Sequence, residues 1–205
     1  MPNIDAAFGL RPYRMLGSGA NTNGDSVYKI QTSATAGSAN AIYQGSPIIP
    51  LANGMIDRVG NANGGTVPLL GVFLGCNYVD LTGKPRWSPY WPGTASVKAN
   101  TEATAFVVSN PDAVFLINCD AAAADALVHA NANFGSAQSG STVTGLSSAE
   151  LAVSTADTTN TLNMRIVGFE DTPANSDAAA AGRLAIVLLN NHFYRYSANG
   201  TGAGI

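Results

Sequence analysis

The 205-residue sequence predicts a mostly β fold: a β-sandwich or barrel with an extended N-terminal arm, a flexible C-terminal tail and little helix. Three observations carry this. Apolar runs are short and rich in Val, Ile and Phe, which suit a pleated, half-buried surface. Gly, Asn, Asp and Pro punctuate the gaps, because Gly and Asn accept positive φ and Pro fixes φ. Many short strands at such spacing build a sandwich or barrel.

Taken in order, residues 1–24 form an arm and hinge. Phe8, Leu10, Tyr13, Met15 and Leu16 are followed by the Gly/Ser/Asn run 17–24. The body, 25–196, holds strands predicted at 26–30, 46–51, 55–59, 67–74, 96–99, 105–108, 113–118, 163–169 and 184–189. Turn formers separate them, among them Asn53-Gly54, Asn63-Gly64-Gly65, Thr82-Gly83-Lys84-Pro85 and Asn110-Pro111-Asp112. The alanine-rich run 120–128 predicts one or two helical turns capped by Asp120, whose carboxylate would accept from the first free amides. Residues 178–181 predict another turn, ended by Gly182. The stretch 135–142 reads either as a long surface loop or as a divider between two subdomains. The tail, 197–205, holds too little apolar surface to fold alone.

Composition excludes several function classes. The chain is 46% hydrophobic, enough for a core, yet only 11% charged against about 25% in typical soluble proteins. Ala, Gly, Ser, Thr and Asn fill 106 of the 205 positions. With a net charge of −3, nothing suggests nucleic acid as a partner, since that needs clustered Lys and Arg. No run approaches the roughly 18 apolar residues of a membrane helix, and the first residues do not read as a signal peptide. Cys76 and Cys119 sit in apolar runs and read as buried, reduced thiols of a protein made in a cytosol.

Catalytic patterns are thin. No His-Glu-x-x-His, Cys-x-x-Cys or Gly-x-Ser-x-Gly occurs, and Gly17-Ser18-Gly19 lacks the Lys of a phosphate loop. Cys119 and His129 are the nearest approach to a nucleophile and base, but Cys119 ends an apolar run with no basic neighbour. Glu170-Asp171 reads as a solvated loop. Asp112 and Asp120 flank one strand without the alternating oxygen ligands of a calcium loop. The sequence therefore predicts no catalytic residue, no cofactor and no metal.

Two segments carry candidate contact residues. Residues 85–93 pack Trp87, Tyr90 and Trp91 among three prolines, as either an exposed interface or glycan platform or a loop folded back over the sheet. Phe193, Tyr194 and Tyr196 form a second cluster after the last strand. The arm adds Ile4, Phe8, Leu10, Arg11, Tyr13 and Arg14, for docking on a partner or as the first edge strand of its own sandwich. Low charge with an aromatic loop predicts self-association, with closed symmetry, as a homotrimer.

The opening Asn3-Ile4-Asp5-Ala6-Ala7-Phe8-Gly9-Leu10-Arg11-Pro12 resembles the start of small structural proteins of tailed bacteriophages, especially those of marine and cyanobacterial hosts. Gly71-Val72-Phe73-Leu74-Gly75-Cys76, Leu162-Asn163-Met164-Arg165-Ile166-Val167-Gly168 and Leu188-Leu189-Asn190-Asn191-His192-Phe193-Tyr194 are similar to the same group. The resemblance implies a β-rich, often trimeric capsid decoration (cement) protein on the virion exterior. Its partners would be the major capsid protein and itself. A head fibre or host-glycan-binding module is the alternative.

Overall fold

The computed structural model describes residues 3–16, 25–30, 32, 39–59, 67–136 and 139–195. Their first six strands are β1 (Arg11–Met15), β2 (Asp25–Ile30), β3 (Pro47–Pro50), β4 (Ile56–Arg58), β5 (Gly71–Val79) and β6 (Pro85–Ser88). The second six are β7 (Ala103–Val108), β8 (Ala113–Asn118), β9 (Asn131–Gly135), β10 (Glu150–Asp157), β11 (Met164–Phe169) and β12 (Leu184–Leu189). Helix among the described residues is limited to single 3-10 turns at Thr94–Ser96, Asp125–Leu127 and Pro173–Asn175.

The strands form two sheets. One runs β3-β4-β2-β7-β5 and closes into a five-stranded barrel because β3 also pairs with β5. β6 extends it along the far half of β5, from Cys76↔Ser88 to Val79↔Pro85. The other sheet is antiparallel, in the order β1-β8-β12-β11-β9-β10. It curls until Cys119, just past β8, bridges Leu151 in β10.

The two sheets share a wall. In a strand, alternate side chains point to opposite faces. Leu70, Phe73 and Val107 fill the barrel, while their neighbours Leu69, Val72 and Val108 join the core of the second sheet. A wall buried on both faces explains why 67–74 reads as a continuous apolar run rather than an alternating one.

Several expectations need correction. Residues 3–16 are extended but do not stand away from the body: Leu10 is buried in the second core, and β1 pairs with β8 from Arg11↔Leu116 to Met15↔Ala113. The edge-strand reading of the arm is the one observed. The predicted strand at 96–99 is a 3-10 turn followed by one bridge, Asp80↔Val97. Asp120 caps no helix; its carboxylate accepts from the Val153 amide at 2.9 Å, and the nearby 3-10 turn begins after Ala124. The stretch 135–142 does not divide two subdomains, since it connects the neighbouring strands β9 and β10. The hinge at 17–24 and the tail at 197–205 lie outside the described residues.

Candidate docking surfaces

The aromatic segment 85–93 splits between inside and outside. Asp80 organises the turn before it, accepting from the Thr82 hydroxyl (2.6 Å), Arg86 Nε (2.6 Å) and the Thr82 and Lys84 amides (2.9 and 3.0 Å). These donors, the Thr82 hydroxyl foremost and then Arg86, hold its carboxyl well below the usual carboxylate range. β6 then places Trp87 opposite Asn77 and across Gly75, where a Cβ would lie 3.2 Å from the indole. Trp87 is 63% exposed. Tyr90 is half-buried and stacks on Tyr43 at 5.9 Å.

Trp91 turns inward, correcting its assignment as a contact residue. Its amide donates to the Ile42 carbonyl (2.7 Å), its carbonyl accepts from the Ile42 amide (3.0 Å), and its ring meets Tyr78 edge-on at 5.9 Å. It is fully buried in the barrel, so the loop is not a platform of three rings.

The second cluster is fixed to the barrel rim. His192 bridges Leu69, and the Phe193 amide donates to the Leu69 carbonyl at 2.8 Å. Phe193 packs on the barrel core, and the Tyr194 hydroxyl lies 3.0 Å from that of Tyr28. That hydrogen bond, with burial, pushes the Tyr194 phenol up to about 12. Phe193, Tyr194 and Tyr28 line a half-open cavity of about 270 Å³ with Leu51 and Met55. Tyr196 lies outside the described residues. Tyr28 and Tyr43 went unrecognised in the sequence because their partners lie far away in it.

Along the N-terminal segment, the buried Asn3 amide donates to the carbonyl of Asp177 at 2.8 Å, and Ile4 is 73% exposed. The chain next crosses the loop at Gly45, where the Leu10 amide donates to the Gly45 carbonyl. A Cβ on Gly9 would sit 2.7 Å from that oxygen, and Gly9 has φ of +75°, so only glycine fits. Leu10 is thereby driven inward and is not a contact residue. Phe8 is half-buried, whereas Arg11, Tyr13 and Arg14 are exposed.

The reactive candidates do not converge. Cys76 and Cys119 are buried, one in each core, and burial pushes both thiols up to about 12. His129 sits on an exposed turn at φ of +76°. Asp112 pairs with Arg195 before β8 and Asp120 follows that strand, so the strand's length of about 20 Å lies between them. Among the described residues no group of three or more His, Cys, Asp or Glu is arranged to hold a metal. Because the thiolate is the reactive form, neither cysteine should react with a bulky maleimide on the native protein; both should react in denaturant. Rapid native labelling would contradict this packing.

His192 gives a pH expectation. Its Nδ1 accepts from the Tyr194 amide at 3.1 Å. Burial, with Arg195 nearby, pulls its imidazole down to about 4 from an ordinary 6.5. The unfolded chain therefore takes up the proton first. This contribution to stability is complete above about pH 6.5, declines as pH falls to about 4 and is flat below that. Each tenfold difference in proton affinity is worth about 1.4 kcal/mol, so the contribution is at most about 3–4 kcal/mol. Denaturant melts of the wild type and His192→Asn across this range should show stability falling more steeply with acid in the wild type, the difference between the two curves being the His192 contribution.

No helix among the described residues is long and apolar enough to cross a membrane. No protein-family model, curated protein or solved structure matches the chain.

Proposed function

We propose that this chain is a virion structural protein that decorates the outer surface of a tailed-phage head, bridging neighbouring copies of the major capsid protein as a homotrimer. It performs no chemistry and needs no cofactor. The observation that carries this reading is the placement of exposed apolar side chains on two separate strand edges. Tyr13 lies on β1 and Leu16 just past its end, with Ile4 exposed upstream beside Gly182, while Trp87 lies on β6 of the other sheet. A trimer seated on a lattice needs two contact faces on one body, one toward a neighbouring copy and one toward the capsid, and many such contacts reinforce one another on a symmetric lattice through effective concentration. The sequence segments that resemble phage structural proteins support the same reading.

The test is to mix purified protein with heads that lack it, then measure occupancy by sedimentation and the temperature at which the heads rupture. Wild type should co-sediment and raise the rupture temperature. Trp87→Ala should bind several-fold more weakly while melting within about 0.5 kcal/mol of wild type, as exposed substitutions do. Free protein left wholly in the supernatant would refute the proposal.

One observation favours a second reading, a head fibre or host-glycan-binding module. The cavity between Tyr28 and Tyr194 offers aromatic faces and a pair of hydroxyls without a charged lining residue. Retention on host polysaccharide, lost in Tyr194→Ala, would support that alternative.

A further inference from the structure

We propose that β1 is an interface to a second copy of this chain, which seats its acidic pole, Asp5, Asp120 and Glu150, against Arg11 and Arg14. The inference deepens the self-association part of the proposed function and rests on that part alone.

β1 is an unfinished layer. It pairs along one edge only, with β8, and four of its five residues are exposed. A strand normally buries one face, so side chains exposed in succession leave both faces uncovered. Tyr13 and Leu16 are each 47% exposed. Beside them Phe8, Arg11, Leu74 and Leu146 border a cavity of about 240 Å³. The open edge resists simple sheet extension, because Pro12 has no amide to donate and the register shifts between Pro12 and Arg14. Contact there must run through side chains.

Charge selects the occupant. Lys29, Arg86, Arg183 and Arg195 each pair with a carboxylate. Among the described residues Arg11 and Arg14 have none. Their guanidiniums lie over the rings of Phe8 and Tyr13, at 4.3 and 6.0 Å from the centroids. A guanidinium held over a ring keeps its donors available to a carboxylate.

This chain carries a complementary face. Burial, and then the nearby carboxylates of Asp5 and Asp120, raise the Glu150 carboxyl above its ordinary value. The Val153 amide donates to Asp120, and among the described residues none of the three acids is in an ion pair. The like charges are relieved when a neighbour's arginines approach. Since the two faces differ, the contact is heterologous, and such contacts form a ring when the rotation closes.

The test is the oligomeric state of the full chain, by light scattering and sedimentation. Wild type should associate at low ionic strength and dissociate toward monomer near 1 M salt, where the screening length falls to about 3 Å. The variants Arg11→Glu/Arg14→Glu and Asp5→Lys/Asp120→Lys should each weaken association about 10- to 100-fold. Combining all four reversals should restore it. Arg11→Gln/Arg14→Gln, checked for an unchanged melting temperature, separates lost contact from lost folding. A wild type that is monomeric at every concentration overturns the proposal, as does an oligomer that both reversed pairs retain. If Arg11→Glu/Arg14→Glu abolishes head binding while wild type remains monomeric, β1 contacts a different partner and the second-copy assignment fails. If the charge swaps behave as stated but the protein ignores phage heads, only the decoration reading falls.

Discussion

Trp91→Ala should destabilise the protein by about 3–5 kcal/mol, the usual cost of emptying a buried aromatic site. Trp91 is fully buried in the barrel core, against Tyr78 and beside the Ile42 backbone. Truncation would leave a cavity where the 39–46 segment, β5 and the 89–97 segment meet, and the backbone pair with Ile42 would lose its support. Small domains are stable by only about 5–15 kcal/mol, so one substitution removes much of the margin. Denaturant melts of Trp91→Ala and Trp87→Ala make the comparison decisive. The two tryptophans are four residues apart, yet only the first substitution should move the midpoint. Equal small effects would mean that Trp91 does not fill the barrel.

The second large effect concerns residues 3–16. Leu10→Ala should cost about 2–5 kcal/mol, because Leu10 is 1% exposed in the second core. Deleting residues 2–16 should do worse. It removes Leu10, the Asn3 hydrogen bonds that hold the 177–181 turn, and the strand covering the edge of β8. That truncation should unfold the chain or lower its melting temperature sharply. A dispensable arm would leave melting unchanged, so thermal melts of the truncated and full-length proteins separate the two. Docking by the exposed face of β1 is therefore better tested by changing Arg11 or Tyr13 singly.

The sequence made most of the two cores legible but not the way their edges assemble. β8 and β12 match the predicted runs, because a strand that is buried on both faces, as β8 is, or nearly so, as β12 is, is marked by Val, Ile, Leu and Phe whatever its partners. The sequence leaves β9 and β10 unmarked: Asn131–Gly135 is mostly Asn, Ala and Gly, and Glu150–Asp157 dilutes Leu151, Val153 and Thr155 with Glu, Ala, Ser and Asp, whose strand preference is weak. Their ladder and the packing of Phe134 and Leu151 override local preference. The same limit applied to the candidate contact residues. Nothing local to 85–93 says which tryptophan turns inward; the choice is made by Ile42, about fifty residues upstream. Nothing local to 3–16 marks Leu10 as buried; the close crossing of Gly9 and Gly45 decides it. Ile4, Tyr13, Arg14, Trp87 and Tyr194, by contrast, remain on the surface.

The decoration proposal meets its most direct test in imaging of labelled particles. Val143 is 93% exposed on a turn, and both native thiols are buried, so Val143→Cys gives one site for a maleimide-linked gold or fluorescent tag. Particles purified from cells producing this variant should carry the tag on the outside of the head, in clusters of three at symmetry-related positions. A tag confined to the tail, enclosed within the head, or absent from purified particles would contradict it.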